Sequence, residues 1–179
     1  MHVEDSPSTQ ERIAEAVTLY DRGRVEDAAA MLHAVIAEQG DRLVRGGDED
    51  AAGLYVSAAG RVWRELDRRP PLAAAYRATR DAAARRSLQQ AAEPVIDEAA
   101  VREVAWIDRY TPAGLDAGLL LAGLELERLD VDEALDRLRD LRDHANLDRR
   151  ADDHARLTAM ARLLSGEANA IDAAAAGLA

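Results

Sequence analysis

The stretch LYDRGRVEDAAAMLHAVI, residues 19–36, places a glycine between two segments with helical periodicity. Gly23 can adopt the left-handed backbone conformation that ends many helices. Apolar residues recur every three or four positions on both sides of it, as on one face of an α-helix. The two stripes are Ile13, Ala16, Val17 and Tyr20 before the glycine, and Val25, Ala28, Ala29, Leu32, Val35 and Ile36 after it. The stretch therefore predicts an antiparallel helical hairpin over residues 8–40.

Polar residues mark the expected helix starts. Ser8 and Glu11 have the spacing of a capping box, which predicts that residues 1–7 form a flexible tail and that the first helix begins beside Ser8. Asp48, Asp130 and Asp148 each precede an apolar stripe and are predicted to cap three later helices.

Prolines and glycines divide the rest of the chain into further helices. Pro70, Pro71, Pro94 and Pro112 stand where helices can start, which predicts hairpins near 48–88 and 94–145 and closing helices over 148–178. The stripe of the third helix is Tyr55, Ala59, Val62, Trp63 and Leu66, and the helix around Leu115–Leu126 is apolar on two faces and is the predicted central helix. We expect eight or nine helices, no strand, and a single all-α domain over 8–179 or two tightly joined halves.

Composition supports an α-only fold and excludes several classes of function. Of 179 residues 39 are Ala, while Phe and Cys are absent. Helices are therefore expected to approach closely over small residues, and disulfides, thiolate catalysis and Cys-ligated metals are ruled out. The net charge of −11 disfavours general nucleic-acid binding. With neither a signal segment nor an apolar run long enough to span a membrane, we expect a protein of the bacterial cytoplasm.

An internal repeat appears when the chain is shifted by 106 residues. Val25, Ala28, Leu32 and Val35 then align with Val131, Ala134, Leu138 and Leu141, and Glu26-Asp27 aligns with Asp132-Glu133. Repeated hairpins with unequal spacing are indicated.

Residues 19–28, followed by Leu32 and Val35, resemble the turn and second helix of a tetratricopeptide repeat, with Gly23 in the turn and Ala28 at the helix crossing. The second copy has Leu129 in place of the turn glycine, and the spacing departs from the family's period of about 34 residues. The resemblance implies stacked antiparallel hairpins with a concave face formed by the first helices. It implies a groove lined by Val17, Tyr20, Asp21, Trp63, Asp67, Leu126 and Glu127, whose acids would favour a basic peptide.

No catalytic or metal-binding motif is recognisable. His144 and His154 lie among Asp143, Asp148, Asp152 and Asp153, a set that could bind a metal ion. Helix-end electrostatics explain the same residues more simply, since acids suit helix starts and a histidine suits a helix end. We expect no enzyme activity, no cofactor and no metal.

The Arg residues are unevenly distributed. Residues 61–90 carry 8 Arg against 3 acids, between two acidic regions. Arg61, Arg64 and Arg68 share one helix face, and Arg77 and Arg80 share another, which could form an anion-facing patch. Such a band more often pairs with acids of the same fold or of a second copy, which is the favoured interpretation; the alternatives are binding to an acidic protein and, least favoured, binding to nucleic acid. Trp63 and Trp106 are expected in the core rather than as partner anchors.

These observations predict a non-catalytic protein-interaction module or adaptor that binds a peptide on a concave helical face. The alternatives are a helical domain that senses a small molecule, as bundles can enclose one, and a structural homo-oligomer.

Overall fold

The computed structural model describes residues 7–46 and 55–166, and their fold is all-α, as predicted. Within these ranges the helices are α1 Pro7–Asp21, α2 Val25–Gln39, α3 Ala58–Arg68, α4 Pro70–Ala92, α5 Glu98–Ile107, α6 Pro112–Glu127, α7 Val131–Leu141 and α8 Ala151–Leu164. The chain groups into two compact units, residues Met1–Arg80 and Asp81–Ala179. Its behaviour as a single domain stays a prediction, and the closing helix predicted beyond residue 166 lies outside the described residues.

Unit 1 is built on the hairpin of α1 and α2, with α3 packed against both helices. Ala16 and Ala28 are completely buried, which lets the two helices of the hairpin approach closely. Leu32, Val62 and Leu66 supply the larger side chains of this core. The aromatic ring of Tyr76, on α4, is also buried in this unit.

A short antiparallel ribbon precedes α3 and corrects the expectation of no strand. Strand β1, Leu43–Arg45, pairs with β2, Tyr55–Ser57, so that Val44 faces Val56 in the register. Tyr55 therefore belongs to a strand and not to the third helix. The N–H of Ala58 donates to the carbonyl of Arg42 over 2.7 Å, which ties the start of α3 to the ribbon.

The helix starts differ from those predicted. Helix α3 begins after Ser57, whose hydroxyl accepts from the N–H of Gly60 at 3.0 Å, while the predicted cap Asp48 lies outside the described residues. Helix α1 already begins at Pro7, so Ser8 lies within its first turn and is not its cap.

Asp130 and Asp148, the two other predicted caps, do not cap their helices through their side chains. Asp130 precedes α7 at the capping position, but its carboxylate makes no capping hydrogen bond. Asp148 lies in a short 3-10 turn, Leu147–Arg150, and α8 starts only after it. Helix α7 therefore begins on backbone geometry alone, and the predicted boundary of α8 was too early.

Unit 2 is organised around α6, which confirms the prediction of a central helix. It contacts α5, α7 and α8. Its side chains enter two apolar clusters, one with α7 and α8 and one with α5. The first contains Leu115, Leu119, Ala122, Leu126, Ala134, Leu138, Leu141 and Ala161, and the second contains Ala91, Val101, Val104, Ala117 and Leu121. Apolar as it is, α6 is too short to cross a membrane, and no other described helix could do so.

The hairpins α1–α2 and α6–α7 have the same backbone at their turns, as the 106-residue repeat predicts. The N–H of Arg24 donates to the carbonyl of Leu19 at 2.9 Å, and Asp130 donates to Glu125 at 2.9 Å. A second bond inside each turn joins Gly23 to Tyr20 and Leu129 to Leu126. These paired bonds are those of a Schellman motif, in which the residue after the helix is left-handed. In each unit a third helix, α3 or α8, packs on both helices of the hairpin.

Candidate binding clefts

Each unit has a cleft along the first helix of its hairpin. In unit 1 the cleft lies beside α1, β1 and α3 and has a volume of about 370 Å³. In unit 2 it lies beside α6, α8 and the end of α4 and has a volume of about 460 Å³. Four equivalent positions of the first helix line both clefts: Gln10, Ile13, Ala14 and Val17 in unit 1, and Asp116, Leu119, Leu120 and Gly123 in unit 2. The repeat therefore extends from the backbone of the turn to the side of the first helix that lines the cleft.

The unit 1 cleft is strongly basic. We call it the arginine cleft after Arg45, Arg61, Arg68 and Arg69, which line it. Glu65 is the only acidic residue among its lining residues, and it is 3 % exposed. Four of its ten lining residues are therefore arginines, on a chain whose net charge is negative.

Glu65 binds three of these arginines. Its Oε1 lies 3.0 Å from Nη2 of Arg61 and 3.7 Å from Nη1 of Arg68. Its Oε2 accepts a hydrogen bond from Nη1 of Arg69. The guanidinium of Arg69 also lies 5.7 Å from the centre of the Tyr20 ring. A buried carboxylate is stable only when it is paired in this way, so Glu65 fixes the positions of the surrounding guanidinium groups.

The unit 2 cleft is mainly apolar. We call it the leucine cleft after Leu88, Leu119, Leu120, Leu124 and Leu157, which line it. Gly123 lies on its wall, and a β-carbon added there would meet no atom within 4 Å. The missing side chain leaves room on the exposed face of α6.

Charged residues surround the leucine cleft. Arg150 lies 2.5 Å from Asp116 and 2.7 Å from Asp153, and Asp153 also accepts from Arg156 at 2.9 Å. Hydrogen bonds from Arg150, and then from Arg156, lower the pKa of Asp153 below its ordinary value. Glu127 is exposed and forms no ion pair with a residue that the structure describes. One acid is thus left to bind a cationic group.

A third cleft, in unit 2, has a volume of about 360 Å³ and is lined by Trp106 together with Arg102, Arg109 and Arg137. Arg137 binds the buried carboxylate of Glu125 in a two-point contact, with Nε 2.9 Å from Oε2 and Nη2 2.5 Å from Oε1. Sequence reasoning missed this pair, because a glutamate inside an apolar helix gives no sign of its partner on the next helix.

The predicted partner-binding residues fall into different environments. Val17 lines the arginine cleft and Glu127 lines the leucine cleft. Leu126 is only 4 % exposed in the core of unit 2, which leaves it almost no surface for a partner. The remaining four lie in unit 1: Asp21 and Asp67 are exposed, and Tyr20 and Trp63 are half-buried. Trp106 is 44 % exposed, so its predicted place in the core was wrong.

The predicted anion-facing patch is brought together only in part. Arg61 and Arg68 line the arginine cleft, with Arg45 and Arg69 added by the fold. Arg64, Arg77 and Arg80 are half-buried and do not line it. Periodicity along one helix could not reveal Arg45, because that residue comes from the unpredicted ribbon.

The two histidines considered as metal ligands are used in hydrogen bonds. Nε2 of His144 donates to the carbonyl of Arg109 at 2.6 Å, and its Nδ1 accepts from the N–H of Asn146 at 3.1 Å. Nε2 of His154 donates to the carbonyl of Leu138 at 2.8 Å. Within residues 7–46 and 55–166, no three His, Asp or Glu side chains are grouped closely enough to bind a metal ion. The two rings instead connect loop and helix segments of unit 2.

Comparison with known proteins adds no family assignment. No protein-family model, curated protein or solved structure matches the chain.

Proposed function

We propose that the protein is a non-catalytic interaction module that binds a helical peptide segment of another protein in the leucine cleft. One observation carries this proposal: equivalent positions of the first helix line a cleft in both units. Such a face is what the tetratricopeptide resemblance implies, since stacked hairpins of that kind bind partners with their first helices. The assignment to this family is part of the proposal.

The lining of the leucine cleft suits apolar anchors. Leu120 and Leu124 are partly buried at the edge of the α5 cluster, and Leu157 packs at the edge of the other. A peptide helix that inserts apolar side chains between these leucines would shield the leucine side chains from water. It would not need to disturb either core cluster. Gly123 adds space at the point where an anchor residue would enter.

The charges around the leucine cleft indicate which charge the bound peptide should carry. Asp116 and Asp153 are already bound by Arg150, whereas Glu127 has no such partner among the described residues. A basic residue on the peptide can therefore pair with Glu127, and exposed pairs of this kind speed association more than they add affinity. The expected ligand is an amphipathic helix with one apolar face and a Lys or Arg beside it.

The test is selection of peptides of about 16 residues from a random display library against the full chain, followed by titration calorimetry with the best binder. Gly123→Leu should abolish binding by filling the cleft, and it should remain folded because leucine favours a helix more than glycine does. Glu127→Arg should slow association and reduce its salt dependence. Asp21→Arg is the matched control, since Asp21 occupies the equivalent position in α1 but lines none of the three clefts described above.

A selection that yields no binder with apolar helical periodicity would contradict the proposal. So would a binder that recognises folded Gly123→Leu as tightly as the parent chain.

A further inference from the structure

We propose that the third cleft is a binding site for a free α-amino acid with a large apolar side chain. We call it the tryptophan cleft after Trp106, which lines it. Its walls come from α5 and α7, while α6 contributes only Gly114 and Gly118. These glycines are two positions away from Asp116 and Leu120 of the leucine cleft, so the two clefts lie on opposite sides of α6. The proposal is therefore independent of the peptide site.

Two neighbouring arginines can receive the carboxylate of the amino acid. Nη2 of Arg137 lies 2.5 Å from Oε1 of Glu125, and Nη2 of Arg102 lies 3.8 Å from the same oxygen. Arg137 also binds Glu125 through its Nε, at 2.9 Å. Arg102 binds Glu98 through Nε at 3.2 Å and through Nη2 at 2.6 Å. These bonds fix both guanidinium groups but use neither Nη1 atom, and neither Nη1 has an acceptor among the described residues.

The two unused nitrogen atoms are open to a ligand. Half of the Arg102 side chain and a quarter of the Arg137 side chain are exposed. Nη1 of Arg137 is unpaired but is not a buried atom, so a molecule in the cleft can reach it. A carboxylate bound there would make charge-assisted hydrogen bonds to guanidinium groups whose positions are already set.

Asp140 supplies the acceptor for the ammonium group. It lines the same cleft, is exposed, and forms no hydrogen bond or ion pair with any residue in the described part of the chain. It follows Arg137 by three positions on α7, so the two side chains are neighbours on the helix surface, yet Arg137 is bound to Glu125 instead. Asp140 would repel a simple anion, and the arginines would repel a simple cation. A ligand with both charges on one carbon atom can pair with both.

The remaining surface of the cleft is apolar. Trp106 is 44 % exposed, and Ala105 and Leu141 line the cleft with it. No side chain of α6 occupies the space, because glycine is the only residue type that this helix contributes. The volume of about 360 Å³ is within the range of small-molecule sites, which combine an apolar wall with a few fixed polar groups. A phenylalanine or leucine side chain is therefore preferred over a small or charged one.

The experiment is titration calorimetry of the full chain with L-phenylalanine and three comparison compounds: phenylalaninamide, N-acetylphenylalanine and glycine. The first lacks the carboxylate, the second lacks the ammonium group, and the third lacks the side chain. We expect phenylalanine to bind with 1:1 stoichiometry and about threefold or more tighter than each of them. If phenylalanine does not bind at millimolar concentration, or if any comparison compound matches its affinity, the proposal is wrong.

An exposed acid tests the ammonium contact. Asp140→Asn should weaken phenylalanine binding about threefold or more and should stay folded, because Asp140 has no partner in the described part of the chain. Asp132→Asn is the matched control, since Asp132 is also exposed on α7 but does not line the cleft. Parental affinity in Asp140→Asn would overturn the assignment of the ammonium site.

An exposed arginine tests the carboxylate contact. Arg102→Gln should also weaken phenylalanine binding about threefold or more, and the fold should persist because Glu98 keeps Arg128 as a partner. Arg139→Gln, at an exposed position of α7 outside the cleft, should bind like the parent. Equal affinities of these two variants would contradict the proposal. Gly123→Leu should bind phenylalanine normally, so failure at this site is distinguishable from failure of the peptide site.

Discussion

Leu129 has the same left-handed backbone conformation as Gly23, with φ of 63° against 78°. Both residues close a hairpin through the same pair of hydrogen bonds. A β-carbon in this conformation costs about 1 to 2 kcal/mol, and Leu129 in addition exposes 69 % of its surface. The second hairpin keeps its turn despite the unfavourable residue, so its packing must outweigh the strain.

Replacing Leu129 with Gly should therefore raise the free energy of unfolding. We expect a gain of about 0.5 to 1 kcal/mol, because the relief of strain exceeds the entropy that glycine adds to the unfolded chain. Urea denaturation measures it. Leu129→Ala is the control that removes the exposed apolar surface but keeps the β-carbon; if Ala stabilises as much as Gly, strain is not the cause.

Ala28 should not tolerate a larger side chain. It is completely buried in unit 1, where α1 and α2 pack together, so Ala28→Leu should destabilise by about 1 to 3 kcal/mol through overpacking. Ala30→Leu, two residues along the same helix and exposed, should be nearly neutral. Equal denaturation midpoints for the two variants would argue against close packing of this hairpin.

Two glycines of α6 should respond in opposite directions to substitution by alanine. Gly123→Ala should stabilise by about 0.5 to 1 kcal/mol, since its β-carbon would enter open space and alanine favours a helix. Gly114→Ala should destabilise, because its β-carbon would lie 2.2 Å from the carbonyl oxygen of Asp108. The melting temperatures of the two variants are compared by thermal unfolding. A higher melting temperature for Gly114→Ala would contradict the prediction and would show that the backbone around Asp108 can shift at little cost.

Glu98 should contribute to the acid sensitivity of the protein. Hydrogen bonds from Arg128 and then Arg102 lower the pKa of Glu98 to about 2 from its ordinary value of 4.5. Because the folded-state pKa is the lower one, the stabilisation is fully present above pH 4.5 and is lost as the pH falls toward 2.

Glu98→Gln should therefore lose less stability than the parent chain between these pH values, as measured by urea midpoints. Glu103→Gln, an exposed site on the same helix, should follow the parent. A parallel pH dependence of Glu98→Gln and the parent would contradict the assignment.

The helices and the repeated hairpin were predictable from sequence, because apolar spacing and Gly23 act locally. The ribbon was not, since Leu43–Arg45 and Tyr55–Ser57 are three residues each and too short to show alternation. The apolar stripe correctly included Ala59 and Val62, but it was extended into Tyr55, three residues before the helix begins.

The clefts could be predicted only in part. The Arg count pointed to a basic region, and Arg61 and Arg68 were identified from their shared helix face. Glu65, on the same face, was not recognised as their buried partner, because burial of a charged residue depends on packing that no local pattern records. The role of Gly123 could not be predicted from sequence either, since a glycine inside a helix does not reveal whether space lies beside it.

Each unit carries one tryptophan, Trp63 in the first and Trp106 in the second, and the chain has only these two. Their exposure differs, with Trp63 half-buried and Trp106 open to solvent. Tryptophan fluorescence therefore reports on each unit. The two signals are separated by replacing one tryptophan or the other with phenylalanine. Superimposable melting curves from the two single-tryptophan chains would mean one cooperative unfolding transition, and displaced curves would mean that each half melts at its own temperature.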